Sequence, residues 1–171
     1  MSRSGAVLSV VLVASGVVAG GAPARAGGLV QTCVGTEVTS FDPPLTLVSR
    51  PTEITVSGLF PTCTHATART ASYAETFTIN ASCLVLGDSG TATRSFVWGD
   101  PAVAPSTFVY NVTSSAVGGQ IVVTSSGLIT DGTFAPAGAV QTVTLLTPNT
   151  LQCATTGIAS VTGPTTVNIH Q

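Results

Sequence analysis

Hydrophobic and polar residues alternate with a period of two along most of the chain after residue 26, in short segments rich in Val, Thr, Ile and Phe. Such alternation is typical of strands that bury one face, and the region lacks the spacing of an amphipathic helix. Clusters of Gly, Pro, Asp and Ser separate the segments and indicate turns. The pattern predicts an all-β fold with strands at residues 37–41, 53–58, 75–81, 92–98, 107–112, 120–125, 140–146, 151–155 and 165–170.

Large apolar residues recur at alternate positions in three of these segments, which predicts that they face a core. The predicted core faces consist of Phe77 and Ile79, of Arg94, Phe96 and Trp98, and of Phe108, Tyr110 and Val112. Tyr73 is the main aromatic residue that falls off these faces. About eight or nine short strands at this spacing predict a β-sandwich.

The first 26 residues, MSRSGAVLSVVLVASGVVAGGAPARA, are predicted to be a secretory signal peptide that is cleaved after Ala26. A basic Arg3, an apolar run and a small-residue site ending in Ala24-Arg25-Ala26 are the usual parts of such a peptide. The run is short and diluted by glycine for a transmembrane anchor. Residues 27–171 are then expected to form a single secreted, extracellular β-sandwich domain with no membrane anchor.

Charged residues are scarce, and all five basic residues are arginines. Cleavage of the signal peptide would leave three of them against seven carboxylates. No basic surface for nucleic acid or anionic lipid is therefore expected. We expect an extracellular partner, whose identity the composition does not indicate, and no cofactor.

Four cysteines follow the predicted cleavage site: Cys33, Cys63, Cys83 and Cys153. An even number of cysteines in a secreted chain indicates two disulfides, for which three pairings exist. We favour pairing the first with the second and the third with the fourth, because each bridge would then join strands that can meet across or between sheets.

Cys83, Trp98 and Cys153 have the order and approximate spacing of the Cys, Trp, Cys signature of immunoglobulin domains. In those domains a buried tryptophan packs against a disulfide between the two sheets. Leu151 stands where a tyrosine corner would place Tyr, two residues before the second cysteine. The resemblance implies an immunoglobulin-like β-sandwich with Trp98 in the core, packed against a Cys83–Cys153 bridge.

Residue types that suit disulfides, turns and buried positions are spread over most of the chain after residue 26. They are Thr32-Cys33 with Gly35-Thr36, Pro44-Leu45-Thr46, Ser82-Cys83-Leu84, Gly132 with Phe134, Cys153 with Gly157, and Val167 with Ile169. Together they resemble a family of small secreted actinobacterial proteins that has no agreed activity. The resemblance implies an immunoglobulin-like sandwich with two disulfides, and it supplies no catalytic residue.

The tetrapeptide Gly87-Asp88-Ser89-Gly90 matches the sequence around the nucleophile of trypsin-like serine proteases. In that family a histidine precedes the serine at long range, whereas His65 is the only upstream histidine and lies close by. A triad of Ser89, Asp100 or Asp131, and His170 would need the strand-turn-helix elbow of α/β hydrolases, which the sequence lacks. We predict that the tetrapeptide is a turn.

Metal sites have little support in the sequence, and none is expected. Zinc would need closely spaced cysteines, but no C-x-x-C occurs and only His65 and His170 would complete a site. Calcium at the Asp131-Gly132 turn would need further spaced acidic ligands. We predict that His65 lies in a polar loop over residues 62–72 and that His170 lies at the chain terminus.

We therefore expect a secreted, non-catalytic extracellular module with a binding or structural role. A small-ligand carrier is the main alternative, because the secreted chromophore carriers of actinobacteria are also acidic sandwiches with two disulfides. An extracellular hydrolase or a protease inhibitor is a weaker alternative, since neither a catalytic order of residues nor a reactive loop is recognisable. A cavity of at least a few hundred Å³ would favour the carrier.

Overall fold

The structure is a computed structural model that describes residues 28–84 and 89–171. The predicted signal peptide, residues 1–26, lies outside the described residues, as do Gly87 and Asp88 of the tetrapeptide. Ser89 is described, and it is exposed immediately before the fourth strand.

Eight antiparallel strands follow one another along the chain, and each pairs with the next. The last strand also pairs with the first, which closes the sheet into a barrel. The strands are β1 (Leu29–Leu45), β2 (Arg50–Cys63), β3 (Ala71–Ala81), β4 (Gly90–Trp98), β5 (Ser106–Val117), β6 (Gln120–Asp131), β7 (Ala137–Leu146) and β8 (Ile158–His170).

The predicted all-β class with two disulfides is confirmed, but the strands close into one barrel in place of the predicted immunoglobulin-like sandwich. Cys33 of β1 pairs with Cys63 of β2 on one side and with Val167 of β8 on the other. Strands of a sandwich and of a barrel both bury alternate residues, so a period of two does not distinguish the two architectures.

Eight of the nine predicted strands lie within observed strands. The ninth prediction, a strand at residues 151–155, is wrong. That segment contains the short helix α1 (Thr150–Ala154). The Asn149 side chain accepts hydrogen bonds from the backbone N–H groups of Leu151 and Gln152. Asparagine is a favoured N-cap because it satisfies amides that have no partner in the first turn of a helix.

The turn between β5 and β6 illustrates how the sequence fixes the register of two strands. Gly118 and Gly119 have φ values of 58° and 78°, and the flanking Val117 and Gln120 pair across the hairpin. A two-residue turn with positive φ at both positions matches the twist of the strands and strongly favours glycine. Gly118-Gly119 is one of the glycine clusters that indicate turns in the sequence, and it forms a turn.

One disulfide joins Cys33 to Cys63, and the other joins Cys83 to Cys153, which is the pairing that the sequence favours. The first bridge links β1 to β2. The second links the segment after β3 to helix α1. Because β2 ends at the end of the barrel where β3 begins, the two bridges lie toward opposite ends of the barrel.

The core position of Trp98 differs from the expected one. Trp98 is only 4% exposed, but it ends β4 at the end of the barrel that is remote from the Cys83–Cys153 bridge. Its ring lies 5.2 Å from that of Phe134, and its Nε1–H donates a hydrogen bond to Ser106 Oγ at 3.0 Å. The expected packing of Trp98 against the Cys83–Cys153 bridge is therefore wrong.

Aromatic side chains fill the half of the barrel that contains Trp98, which we call the packed half. Its buried aromatic residues are Phe60, Tyr73, Phe96, Trp98, Phe108 and Tyr110. Tyr73, expected off the core faces, is 4% exposed, whereas Phe77, expected in the core, is 42% exposed. The interior beside Phe77 is not filled by side chains, and Phe77 lines the space that remains.

Candidate ligand cavity

The other half of the barrel, which we call the open half, contains a cavity of about 470 Å³. Apolar side chains form most of its wall, including Phe41, Ile54, Val56, Val112, Val143 and Leu145. Small-molecule sites in proteins typically have volumes of roughly 300–1,000 Å³, apolar walls and a few polar groups. The cavity meets the size and wall criteria of such a site.

A seam between β3 and β4 gives the cavity an opening in the side of the barrel. These strands pair at Ala71 with Trp98 and at Ser72 with Val97, both in the packed half. Beyond these pairs, residues of both strands line the cavity in succession, such as Thr76 and Phe77 on β3. Neighbours in a strand point to opposite sides, so this succession indicates that the strand edges themselves border the opening.

A layer of polar side chains separates the cavity from the packed half. We call it the polar layer; its members are Glu37, Tyr73, Glu75, Arg94, Tyr110, Gln141 and Thr165. They come from six strands, at positions where the alternation of each strand points the side chain inward. Burying so many polar groups is costly unless each finds a partner; the contacts of the layer give every side chain at least one partner, and Arg94 Nε is a buried atom of the layer left without one.

Arg94 is the centre of the polar layer. Its guanidinium lies 4.0 Å from the centroid of the Tyr73 ring and 4.9 Å from that of Tyr110, which is within the range of cation–π attraction. Its Nη2–H groups donate to Glu75 Oε1 and, at 3.1 Å, to the Tyr110 hydroxyl. Its Nη1–H donates to Gln141 Oε1. The layer thus holds the guanidinium in one orientation.

Gln141 joins Arg94 to the Glu37 side of the layer. The Gln141 Nε2 lies 2.7 Å from the Tyr73 hydroxyl, 3.0 Å from Thr165 Oγ1 and 3.3 Å from Glu37 Oε2. The Tyr73 hydroxyl in turn donates to Glu37 Oε2. The two hydrogen bonds that Glu37 accepts from the polar layer, from Tyr73 and Gln141, both fall on Oε2, so no side chain of the layer binds Oε1.

Two carboxylates of the layer border the cavity. The Glu37 side chain is 8% exposed, and that of Glu75 is 15% exposed, which makes Glu75 the most accessible member of the two ion pairs. Arg94 is the one basic residue that borders the cavity within the described part of the chain. The formal charge at the base of the cavity is therefore one negative unit when both carboxyls are ionised.

Burial shifts the proton affinities of the layer. Desolvation raises the pKa of Glu37 above its ordinary value, even though Tyr73 and Arg94 favour the ionised form. Desolvation also raises the pKa of Tyr110 to about 12 and that of Tyr73 further. For Arg94, burial disfavours the cation, but the acidic groups around it raise its pKa above the ordinary value. The guanidinium and both phenols thus keep their protons at neutral pH.

The residues of the conceivable serine triad are not brought together. Ser89 precedes β4 at the end of the barrel nearest the open half, whereas His170 ends β8 at the opposite end. Asp100 is exposed in the turn after β4, where its side chain accepts a hydrogen bond from the Ala102 N–H. Asp131 is exposed at the end of β6.

The two histidines lie away from the cavity. His65 occupies the predicted loop between β2 and β3, where its ring lies 5.1 Å from that of Phe134. Among residues 28–84 and 89–171, no three His, Cys, Asp or Glu side chains are grouped so that they would hold a metal ion. In the same residues, no helix is both long and apolar enough to cross a membrane.

The polar layer was not recognised in the sequence, although one signal for it was present. Arg94 shares a strand face with Phe96 and Trp98, and a charged residue on a predicted core face needs a buried partner. Glu75 and Phe77 likewise occupy alternate positions of β3. Charged residues at inward positions of two strands were the available evidence for a buried ion pair.

No protein-family model, curated protein or solved structure matches this chain.

Proposed function

We propose that this protein is a secreted, non-catalytic binding protein that holds a small, largely apolar molecule inside its barrel. The observation that carries this proposal is the cavity of about 470 Å³, with aliphatic walls and carboxylates at its base. A purely structural or adhesive module has no need of an internal cavity, since filling the space with side chains would stabilise the barrel.

Secretion is part of the proposal and rests on two observations. The first 26 residues have the parts of a signal peptide, and two disulfides tie the barrel. Disulfides persist in oxidising compartments such as the extracellular space. An extracellular carrier of small molecules is consistent with both, and its partner is then the bound molecule.

Binding accounts for the site better than catalysis does. Ser89 and His170 lie at opposite ends of the barrel, so a triad of Ser89 with His170 does not form. Arg94 and Tyr110 are held by contacts within the polar layer. These contacts hold the base of the cavity in one shape, and the seam between β3 and β4 provides the route of entry for a bound molecule.

Calorimetric titration with rigid apolar probes of adamantane size tests the proposal. Ala92 lines the cavity on β4, and Ala92→Phe should fill part of it and weaken probe binding about tenfold or more. Val123→Phe, at a lining position of β6, provides a second test of the same space. Ser95→Phe adds the same ring at an exposed position of β4 and is the matched control.

Binding that is lost in both cavity variants and kept in Ser95→Phe would support the proposal. Equal binding by all four proteins would show that the probes bind elsewhere. That result, or no binding of any probe to the unmodified protein, would overturn the proposed function.

A further inference from the structure

The base of the cavity carries an imbalance of charge that bears on the kind of molecule it accepts. Arg94 already donates to Glu75, Tyr110 and Gln141, so its charge is matched within the polar layer. Its Nε has no acceptor and is too buried to meet a molecule in the cavity, and its Nη1, which makes one hydrogen bond, lies 4.0 Å from Glu37 Oε2. Arg94 therefore presents no free positive group to the cavity.

The carboxylates do present free acceptors. Glu37 is nine-tenths buried and borders the cavity, and the polar layer occupies only its Oε2. Glu75 is the more exposed carboxylate, and its oxygens have room for further donors beside Arg94 and Tyr110. A group that enters the base of the cavity thus meets hydrogen-bond acceptors, and one surplus negative charge when both carboxyls are ionised.

We propose that the bound molecule carries a basic amine on a compact apolar body. The ammonium group donates hydrogen bonds to Glu37 and Glu75, and the apolar body fills the space between the apolar walls of the cavity. This inference rests on the proposed binding function and deepens it. At the packing density of protein interiors the cavity accommodates a molecule of about 350 Å³. A carboxylate ligand would face two glutamates and would have to displace Glu75 from Arg94, which costs a buried ion pair.

The proton balance of Glu37 follows from its surroundings. It faces Tyr73 and Glu75 from β3, Arg94 from β4 and Thr39 of its own strand, and Gln141 of β7 is a neutral donor to it. Its carboxyl releases its proton when an ammonium group arrives, because a neighbouring cation favours the ionised form. Amine affinity therefore rises with pH as long as the amine itself stays protonated.

Three matched probes test the inference: adamantyl amine, adamantyl alcohol and adamantyl carboxylate, titrated calorimetrically into the purified protein at neutral pH. We expect the amine to bind about tenfold or more tightly than the alcohol, the effect of one charge-assisted hydrogen bond, and the carboxylate to bind most weakly. Glu75→Gln should reduce the preference for the amine and leave alcohol binding within about twofold. Glu53→Gln, at an exposed position of β2, should change neither.

The outcomes separate the two proposals. Equal binding of amine and alcohol would overturn the amine inference and leave the binding function supported, as would tightest binding by the carboxylate. If no probe binds and the cavity variants have no effect, both proposals fail. A preference for the amine that is lost in Glu75→Gln supports both.

Discussion

The guanidinium of Arg94 lies 4.0 Å above the centre of the Tyr73 ring, in a chain whose full sequence contains only five lysine and arginine residues. The same guanidinium donates to Glu75, and its Nη1 lies 4.0 Å from Glu37 Oε2. One cation therefore offsets the buried carboxyl of Glu37 and the partly buried carboxyl of Glu75, and it lies between the aromatic packed half and the cavity. The stability of the barrel and the chemistry of its cavity both depend on this residue.

Replacing Arg94 should be severely destabilising. Arg94→Ala would leave Glu37 and Glu75 buried without a counter-charge, and breaking a buried pair in this way costs about 3–5 kcal/mol of unfolding free energy. Chemical denaturation at neutral pH measures the loss. Arg69→Ala, at an exposed loop position, is the matched control and should cost less than about 1 kcal/mol. Equal losses for the two variants would contradict the central role of Arg94.

Gly58 positions the ring on which Arg94 rests. Gly58 pairs with Tyr73 across β2 and β3, and a Cβ at Gly58 would overlap the Tyr73 ring. Gly58→Ala should therefore displace the ring and cost about 1–3 kcal/mol of unfolding free energy, as overpacking typically does. Gly90→Ala is the control, because a Cβ there meets no atom within 4 Å. A neutral Gly58→Ala would mean that the ring has space to move.

Trp98→Ala should cost about 3–5 kcal/mol of unfolding free energy, since the side chain is 4% exposed. A double-mutant cycle distinguishes the neighbour it packs against. Trp98→Ala and Phe134→Ala should be non-additive, because the two rings are in contact. Trp98→Ala combined with removal of the Cys83–Cys153 bridge should be additive. Non-additive losses for Trp98→Ala and removal of the bridge would instead support the immunoglobulin-like packing of Trp98 against the bridge.

The raised pKa of Glu37 makes stability depend on pH in a defined direction. The folded protein holds this proton more tightly than the unfolded chain, so the contribution of Glu37 to stability is greatest below the ordinary pKa of 4.5 and is lost as pH rises through the raised pKa. Glu37→Gln should remove that part of the decline, which urea unfolding between mildly acidic and neutral pH would reveal. If the unfolding free energy of Glu37→Gln falls with pH as much as that of the unmodified protein, another titratable group causes the decline.

The sequence indicated the strands well because each one alternates over several residues and ends at a recognisable turn such as Gly118-Gly119. It did not indicate how the sheet closes, because alternation is the same in a sandwich and a barrel. The pairing of β1 with β8 joins residues far apart in the chain, such as Cys33 and Val167, and no local pattern reports such a contact.

The candidate site was harder to predict than the fold. Arg94 stood on a predicted core face, but its partners come from other strands, and only the closed barrel brings Glu37 of β1 to Gln141 of β7. The cavity itself is a space left by residues such as Ala92 and Val123. Whether small inward residues leave a cavity depends on the diameter of the barrel, which the sequence pattern does not contain.

The most direct test of the central claim is a crystal structure of the protein with a bound adamantyl probe. The account predicts density for the probe inside the barrel, in contact with Ile54 and Leu145 and with its polar group toward Glu75. Density on the outer surface, or side chains of the open half collapsed into the space beside Phe77, would contradict it.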